Sequence, residues 1–315
     1  MVVKPGIAVG AIGNIPELRA EVLAKYPHAK FHEVLPVLAE DELIEFLQGC
    51  DAAVIGLEPL TERVMAACPG LTAIGKFGVG CDNVDFDALR KRKVRFGYQP
   101  GVNRLAVAEL TIAFTLIALR WLSSRAYAMR DGEGPKTKVG RQLTGRVVGL
   151  HGCGFIGKEV VRLLQPFNCE IIVHDILDFP DFYRQYNVTP VDFDTLLKRS
   201  EVLSLHIPRP RGNGFLYDAE TLARLRPDCV LINTCRGGIV DEGALADRLA
   251  SNENFAACVD AFLIEPPVDM RLLRMPNMFS TPHMGASSIE ARLAMGRAAV
   301  RLLEEGTLVP EGFAP

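Results

Sequence analysis

The stretch Arg146-Val-Val-Gly-Leu-His-Gly-Cys-Gly-Phe-Ile-Gly157 decides the fold. Its first half, up to His151, predicts a buried strand, and the residues from Lys158 to Leu164 have the pattern of a helix. Between them lies G-x-G-x-x-G, formed by Gly152, Gly154 and Gly157. In this order the first glycine permits a tight turn, the second lets the backbone approach a pyrophosphate, and the third lets helix and strand pack closely. The stretch therefore predicts a dinucleotide-binding α/β domain, with the pyrophosphate at the helix N-terminus.

The next predicted strand, Glu170–His174, is followed by Asp175. A carboxylate at this position can accept hydrogen bonds from both ribose hydroxyls of a nucleotide and would repel a 2′-phosphate. The following residues, Ile176 and Leu177, provide no cation for such a phosphate. The pattern predicts NAD as the cofactor in preference to NADP; the alternative is a structural turn with an exposed aspartate.

Strands alternate with helices on both sides of this stretch. The strands predicted before it are Ile7–Ile12, Phe31–Leu35, Ala52–Leu57, Thr72–Gly75 and Val94–Tyr98, and the helices are Pro16–Tyr26, Glu40–Gln48, Thr61–Cys68 and Phe86–Lys93. One long helix, Ala106–Arg130, and a loop, Asp131–Gly140, are predicted to follow. The later predicted strands are Arg146–His151, Glu170–His174, Val202–Ile207, Val230–Thr234, Ala257–Ala261 and Met278–Thr281, and Ser288–Glu305 is a final helix. This alternation predicts parallel sheets covered on both faces.

The predicted fold class is α/β, with two Rossmann-like or flavodoxin-like doubly wound parallel-sheet domains and a cleft between them. A chain of 315 residues is long for one compact core and sufficient for two. We place a substrate-binding domain over residues 1–102 with 285–315, because the last helix is expected to return to the first domain. Residues 103–284 are predicted to form the NAD-binding Rossmann domain.

Three segments late in the chain each follow a predicted strand, and they carry Arg236, Glu265 and His283. Loops at the carboxyl ends of parallel strands converge on the ligand crevice, so these side chains could meet there. The planar fork of an arginine suits a carboxylate. A histidine can exchange a proton near neutral pH, and an adjacent glutamate would raise its pKa and hold its tautomer. Taken singly, residues of these types are more often structural; together they are the groups needed to reduce a 2-keto acid.

Composition excludes several classes of protein. The formal net charge of −3 gives no signal for nucleic-acid binding. The eight cysteines include no C-x-x-C pair, which favours reduced thiols in the cytoplasm over a zinc site or a disulfide framework.

The pair His28 and His32 lies in a turn-and-strand pattern that does not align metal ligands, so no metal is predicted. The apolar run Leu105–Leu119 is too short to span a membrane and contains Glu109, which indicates a core helix.

Six motifs carry a resemblance to a known family. They are Gly78-Val-Gly-Cys-Asp-Asn-Val-Asp85, Val107-Ala-Glu-Leu110, the Gly152–Gly157 fingerprint, Asn233–Gly243, Asp260–Pro267 and Thr281-Pro-His-Met-Gly-Ala-Ser287. In this order they run over about residues 70 to 295. On these motifs the chain resembles the D-isomer specific 2-hydroxyacid dehydrogenases, and among them the D-3-phosphoglycerate dehydrogenases.

The resemblance implies a role for each matching residue. Arg236 would bind the substrate carboxylate, His283 would be the acid/base, and Glu265 its partner. The cofactor would be contacted by Phe155 and Ile156 near the pyrophosphate and by Thr234, Cys235, Asp260 and Gly285. Backbone amides of Val79 and Gly80 would face the substrate carboxylate, and Asn103 fits the family's substrate-side loop, where Arg104 is either a second anion contact or a surface charge.

Lys76 stands where the phosphoglycerate enzymes carry an arginine for the substrate phosphate. A lysine can bind a phosphate as a point charge, so a substrate with a phosphate or phosphonate tail is one hypothesis. The alternative for Lys76 is a solvated surface cation beside the substrate site.

The chain departs from the family pattern in two places. It stops at Pro315, so the serine-binding regulatory domains of many phosphoglycerate dehydrogenases are not expected. His151 replaces a small apolar residue, and we interpret it as a satisfied core histidine. Two functional alternatives stay open, a non-enzymatic NAD-sensing scaffold similar to the corepressors of this superfamily and a formate- or phosphite-type dehydrogenase. The family and the apolar Leu105–Leu119 helix suggest a homodimer.

Overall fold

The computed structural model describes residues 2–33, 37–133, 139–210, 212, 214–267 and 270–313. The chain divides into two compact units, Met1–Asn103 with Ala286–Pro315, and Arg104–Gly285. These bounds lie one residue from the boundaries predicted from the sequence. That the first unit binds the substrate stays a prediction.

The first unit contains a six-stranded sheet in the order β13-β5-β4-β3-β1-β2. Its strands are β1 (Pro5–Ile7), β2 (Lys30–Phe31), β3 (Ala52–Ile55), β4 (Ala73–Lys76), β5 (Arg95–Gly97) and β13 (Thr307–Leu308). Its helices are α1 (Gly10–Gly13), α2 (Pro16–Lys25), α3 (Glu40–Leu47), α4 (Glu62–Ala67), α5 (Phe86–Arg92) and α14 (Ile289–Glu305). The strands pair in parallel except β13, which runs antiparallel to β5.

The second unit contains a seven-stranded parallel sheet in the order β12-β11-β10-β9-β6-β7-β8. Its strands are β6 (Val147–His151), β7 (Glu170–His174), β8 (Val188–Pro190), β9 (Val202–Leu205), β10 (Val230–Asn233), β11 (Ala256–Val259) and β12 (Met278–Ser280). Its α-helices are α6 (Arg104–Leu119), α7 (Leu122–Arg130), α8 (Phe155–Leu164), α9 (Pro180–Tyr186), α10 (Phe193–Arg199), α11 (Ala219–Ala223), α12 (Glu242–Ser251) and α13 (Met270–Leu273). Strand order reverses between β6 and β9, and such a switch point is where open α/β sheets bind ligands.

Close backbone contact holds α14 against β4 and β5. A Cβ at Gly75 would lie 2.1 Å from the Ala299 carbonyl oxygen, and one at Gly97 would lie 2.6 Å from Leu302 Cβ. Since any side chain would prevent this approach, these two strand glycines let α14 pack directly on the sheet.

The prediction of a single helix over Ala106–Arg130 is wrong. The chain breaks between α6 and α7 with a bend of 65°. At the break, Trp121 adopts a left-handed backbone with φ of 55°, and the N–H of Arg141 donates to the Leu119 carbonyl at 2.8 Å. The helical sequence pattern continues through the break, but the Leu119 carbonyl at the end of α6 is bonded by Arg141 and not by the next turn of the helix.

Two strand predictions in the first unit also need correction. The stretch Ile7–Ile12 was predicted as one strand, but β1 ends at Ile7 and the turn of helix α1 begins at Gly10. A short apolar run cannot distinguish a buried strand from a buried helix by periodicity alone. The predicted strand Phe31–Leu35 is also too long, because β2 ends at Phe31 and residues 32 and 33 are not in a strand. Residues 34 and 35 lie outside the described residues, as do residues 134–138 of the predicted loop 131–140.

Among the described residues, no single helix is long and apolar enough to cross a membrane; only the bent pair α6 and α7 passes that test together. In α6 the buried side chains include Phe114 and Leu119, which belong to the core of the second unit. A core helix passes the same test, and the burial of α6 agrees with the prediction of one.

Candidate active site

The glycine turn after β6 has the geometry that the fingerprint predicts. Gly152 adopts φ of +100°, and a Cβ there would lie 2.4 Å from the His206 carbonyl oxygen. A Cβ at Gly157 would lie 2.3 Å from the Gly152 carbonyl oxygen, so α8 packs directly on the turn. At Gly154, by contrast, an added Cβ would meet no atom within 4 Å. Neighbouring backbone therefore leaves no room for a side chain at Gly152 and Gly157. Gly154 instead borders open space at the N-terminus of α8, the position at which a pyrophosphate would bind.

Asp175 lies beside this turn, at the end of β7. Its Oδ2 accepts a hydrogen bond from the Cys153 N–H at 2.5 Å, and its Oδ1 accepts one from the Leu177 N–H at 2.8 Å. The carboxylate is thus held in place by two backbone groups and is only partly buried. Because each carboxylate oxygen can accept more than one hydrogen bond, it can also accept from ribose hydroxyls. The side chains of Ile176 and Leu177 are exposed.

Arg236 stands in the loop that follows β10. The buried side chain of Asn233 shapes this loop: its Nδ2 donates to the Arg236 carbonyl at 2.9 Å, and its Oδ1 accepts from the Cys235 N–H at 3.2 Å. The Arg236 Nη1 donates to the Cys235 carbonyl at 2.7 Å. The amide side chain of Asn233 therefore fixes the backbone on both sides of the arginine.

The side chains of Thr234 and Cys235 point into the second unit. Thr234 Oγ1 lies 3.0 Å from Thr111 Oγ1, and burial raises the pKa of the Cys235 thiol to about 11. Both residues are buried. Their predicted contacts with a cofactor would therefore come from the backbone.

Asp260 anchors the loop that carries His283. The Asp260 carboxylate is 1% exposed; Oδ1 accepts from the Thr281 hydroxyl and from the Met284 N–H at 2.8 Å, and Oδ2 accepts from the Gly285 N–H at 2.8 Å. These bonds account for its burial, because a buried carboxylate requires such partners. The side chain of Asp260 is thus committed to the 281–285 loop, and it supports the site from within.

His283 faces Glu265 across this loop. The Nδ1 atom of His283 lies 3.0 Å from both carboxylate oxygens of Glu265, and Glu265 Oε1 also accepts from the Phe262 N–H at 3.0 Å. His283 has a left-handed backbone with φ of 51°, which is uncommon for a residue with a side chain. Its N–H donates to the carbonyls of Asp260 and Thr281, at 2.8 and 3.0 Å, and these bonds hold the strained conformation.

The electrostatics couple Arg236, Glu265 and His283. The hydrogen bond between His283 and Glu265 is the main cause of the raised pKa of His283. The charges of Glu265 and Asp260 also raise this pKa, whereas burial and the charge of Arg236 lower it. Burial alone would raise the pKa of Glu265, but the hydrogen bonds from His283 and Phe262, with the charges of His283 and Arg236, lower it. The second unit therefore brings together the three residues predicted as catalytic, with a histidine biased toward its protonated form.

Four of the substrate-side residues predicted from the resemblance lie in the first unit: Lys76, Val79, Gly80 and Asn103. Val79 and Gly80 are in the loop after β4, and no hydrogen bond among the described residues uses their amides as donors. Asn103 is 8% exposed, and no described residue donates to its buried Oδ1. Lys76 is 3% exposed, so the interpretation as a solvated surface cation is wrong. Arg104, for which two roles were open, donates to Glu159 at 2.9 Å.

His151 has the structural role predicted for it. Its Nδ1 lies 2.8 Å from the Tyr217 hydroxyl, and its ring is buried against His174 and Phe193. Burial and the charge of His174 lower the pKa of His151 to about 4, so it is neutral at neutral pH. Among the described residues, no group of three or more His, Cys, Asp or Glu side chains is placed to hold a metal ion.

Sequence reasoning missed the supporting residues of the site. Asn233 and Thr281 help to position the loops that carry Arg236 and His283, and neither side chain was predicted to have a role. Both are polar residues at the end of an apolar strand, directly before a loop that carries a candidate catalytic residue. The buried amide of Asn233 needs hydrogen-bond partners and finds them in the backbone of the Arg236 loop, whereas the partly buried Thr281 hydroxyl donates to Asp260.

Three comparisons with known proteins bear on this site. Residues 112–285 match the model of the D-isomer specific 2-hydroxyacid dehydrogenase NAD binding domain. The chain is 32% identical over 268 residues to a hydroxypyruvate reductase of Thermotoga maritima, covering 82% of this chain and 85% of the relative. It is 33% identical over 262 residues to a D-3-phosphoglycerate dehydrogenase of Rattus norvegicus, covering 82% of this chain. The match spans only 49% of that rat protein.

A solved structure matches nearly the whole chain. It is a putative D-isomer specific 2-hydroxyacid dehydrogenase from a Polaromonas species, with a TM-score of 0.88, 26% identity, and 96% coverage of each chain. The family model, the sequence relatives and the solved structure all indicate the same family. The chain belongs to the family of D-isomer specific 2-hydroxyacid dehydrogenases and contains the family's NAD-binding domain.

Proposed function

We propose that this chain interconverts a small 2-hydroxy acid and its 2-keto acid with NAD as the cofactor. The observation that carries the proposal is the His283–Glu265 pair within the electrostatic reach of Arg236. All three belong to the unit that matches the family's NAD-binding domain. A cation for a carboxylate and an acid/base with a raised pKa are what the reduction of a 2-keto acid needs.

In the direction of reduction, Arg236 would hold the substrate carboxylate through its planar fork. Bound NADH would supply the hydride to the carbonyl carbon. Because Nδ1 of His283 faces Glu265, Nε2 is the ring atom left to donate a proton to the carbonyl oxygen. Glu265 would stabilise the protonated imidazole and hold its orientation. In oxidation His283 removes the hydroxyl proton, and Arg236 keeps its role.

The cofactor contacts follow from the glycine turn and Asp175. The open space at Gly154 and the backbone of Phe155 and Ile156 support a pyrophosphate site at the start of α8. The fixed carboxylate of Asp175 supports a preference for NAD, because its negative charge would repel the 2′-phosphate of NADP. Asp260 would act near the nicotinamide by holding Met284 and Gly285.

In the first unit we propose that the amides of Val79 and Gly80 bind the substrate carboxylate. The loop follows the carboxyl end of β4, where open α/β sheets place ligands. The unpaired Oδ1 of Asn103 supports a substrate-side role, since a buried acceptor without a donor is rare in a native structure.

The test is NADH oxidation by the purified chain with a set of 2-keto acids that differ only in the side chain. We expect turnover with at least one small member, such as glyoxylate, pyruvate or hydroxypyruvate. A formate- or phosphite-type enzyme would instead reduce NAD with those anions. A chain that binds NADH and turns over none of these compounds would be a scaffold, and the proposal would be refuted.

We also propose that the chain works as a homodimer in a reducing compartment such as the cytoplasm. Exposed apolar side chains on α6 and α7, Leu105, Leu122, Tyr127 and Met129, support an interface on these helices. All eight cysteines are free, which fits a compartment that keeps thiols reduced. Light scattering should give twice the chain mass of 34.5 kDa, and a monomer at micromolar concentration would contradict the dimer.

A further inference from the structure

Two oppositely charged side chains are buried together at the carboxyl edge of the first unit's sheet. Glu58 follows β3 and is 3% exposed, and Lys76 ends β4 and is also 3% exposed. Burial holds the pKa of Glu58 above its ordinary value, and hydrogen bonds from the backbone and the charges of Lys76 and His32 offset this only in part. Gly56 links the two groups, because its N–H donates to Glu58 and its carbonyl accepts from Lys76.

The ammonium of Lys76 contacts the backbone of this cluster. Its Nζ donates to the Gly56 carbonyl and to the Phe77 carbonyl, the latter at 3.3 Å. Glu58 Oε2 accepts from the Gly56 N–H at 2.5 Å. Asn83 Nδ2 donates to the carbonyls of Gly56 and Glu58, at 3.1 and 2.5 Å. These bonds join the loop after β3 to the loop after β4, which contains Val79 and Gly80.

We propose that Glu58 is a specificity-determining residue that neutralises Lys76 and keeps its ammonium on the carbonyls of Gly56 and Phe77. The substrate then carries one carboxylate and no second anionic group. A phosphate brought to Lys76 would have to lie near the buried carboxylate of Glu58, and like charges in a buried site repel strongly. The inference rests on the proposed function, which places the substrate carboxylate at Val79 and Gly80. It opposes the phosphate-binding role that the resemblance suggests for Lys76.

The experiment compares hydroxypyruvate with its 3-phosphate, which differ only in the second anion. For the wild type with NADH, we expect kcat/KM for the 3-phosphate to be at least about tenfold lower, the cost of one unfavourable charge contact. Glu58→Gln keeps an acceptor for the Gly56 N–H but removes the negative charge. In this variant the ratio of kcat/KM for the 3-phosphate to kcat/KM for hydroxypyruvate should rise by about tenfold or more. An ammonium released from its counter-charge can bind a phosphate.

Two further variants identify the source of the effect. In the double variant Glu58→Gln/Lys76→Met the gain for the 3-phosphate should disappear, because the responding cation is gone. Glu62→Gln is the matched control: Glu62 is a surface glutamate of the same unit, bonded to Lys91 and Arg92, and its loss should leave the ratio unchanged.

The possible outcomes separate this inference from the proposed function. A wild type that reduces neither compound, nor any other 2-keto acid, refutes the proposed function. A wild type that prefers the 3-phosphate overturns the role of Glu58, and so does an active Glu58→Gln with an unchanged ratio. If Glu58→Gln is unstable, Lys76→Met decides: a loss of kcat/KM confined to the 3-phosphate would show that Lys76 binds the phosphate and would contradict the inference.

Discussion

Alanine substitutions at two glycines of the turn after β6, Gly157 and Gly154, should have different effects: the first on stability and the second on NADH binding. A Cβ at Gly157 would lie 2.3 Å from the Gly152 carbonyl oxygen, more than 1 Å inside the 3.4 Å of an ordinary contact. Backbone must move to admit it, and overpacking of this kind costs about 1–3 kcal/mol. For a unit of this size each kcal/mol shifts Tm by about 2–4 °C, so Gly157→Ala should lower Tm by about 2–12 °C.

Gly154→Ala should behave differently. A Cβ there meets no atom within 4 Å, and φ of −72° lies outside the left-handed region, so Tm should fall less than in Gly157→Ala. The methyl group would instead occupy the space where a pyrophosphate approaches the start of α8. Loss of charge-assisted hydrogen bonds from that backbone, each about 1.5–3 kcal/mol, should raise the Kd of NADH by about 10- to 100-fold.

The assay is thermal unfolding of the unliganded variants together with titration of NADH fluorescence. Under our interpretation Gly157→Ala loses stability and Gly154→Ala loses affinity. A Gly154→Ala variant that binds NADH as the wild type does would refute the assignment of this turn to the pyrophosphate. A stable Gly157→Ala would show that α8 does not pack as closely on the turn as described.

Two other predictions concern the proton donor and the cofactor. Glu265 raises the pKa of His283, and reduction requires protonated His283; Glu265→Gln lowers that pKa, so the alkaline decline of kcat for keto-acid reduction should move to lower pH. An unchanged profile would exclude Glu265 as the partner. Wild-type kcat/KM should favour NADH over NADPH by about 5- to 150-fold, from roughly 1–3 kcal/mol of repulsion at Asp175. Asp175→Ala should narrow that preference, and equal kcat/KM values in the wild type would contradict the role of Asp175.

The parts of the fold predicted well are those specified by local sequence. The strand, glycine turn and helix of residues 146–164 agree with β6 and α8 within a few residues, because alternation and glycine chemistry act over short distances. The break after Leu119 was missed because the helical pattern continues through it, and the residue that bonds the Leu119 carbonyl, Arg141, is far along the chain. The two-residue strand β13 is an edge strand defined by its pairing with β5 and has no pattern of its own.

The candidate site shows the same division. Arg236, Glu265 and His283 were found because residues of these types follow predicted strands and the family motifs contain them. The burial of Asp260 in the 281–285 loop and the burial of Lys76 and Glu58 around Gly56 were not predicted. Both depend on which loops meet at a sheet edge, and a sequence does not display that proximity.

The central claim is that His283 transfers the proton in NAD-dependent reduction of a 2-keto acid. The most direct test measures kcat for the best keto acid of the set and the Kd of NADH, for the wild type and for His283→Ala. The exposed residue His28 provides the control variant His28→Ala. We predict that His283→Ala loses about 10²- to 10⁴-fold in kcat, the usual contribution of a positioned acid, while the Kd of NADH stays close to that of the wild type. His28→Ala should change neither quantity. A His283→Ala variant that turns over at the wild-type rate would contradict the account.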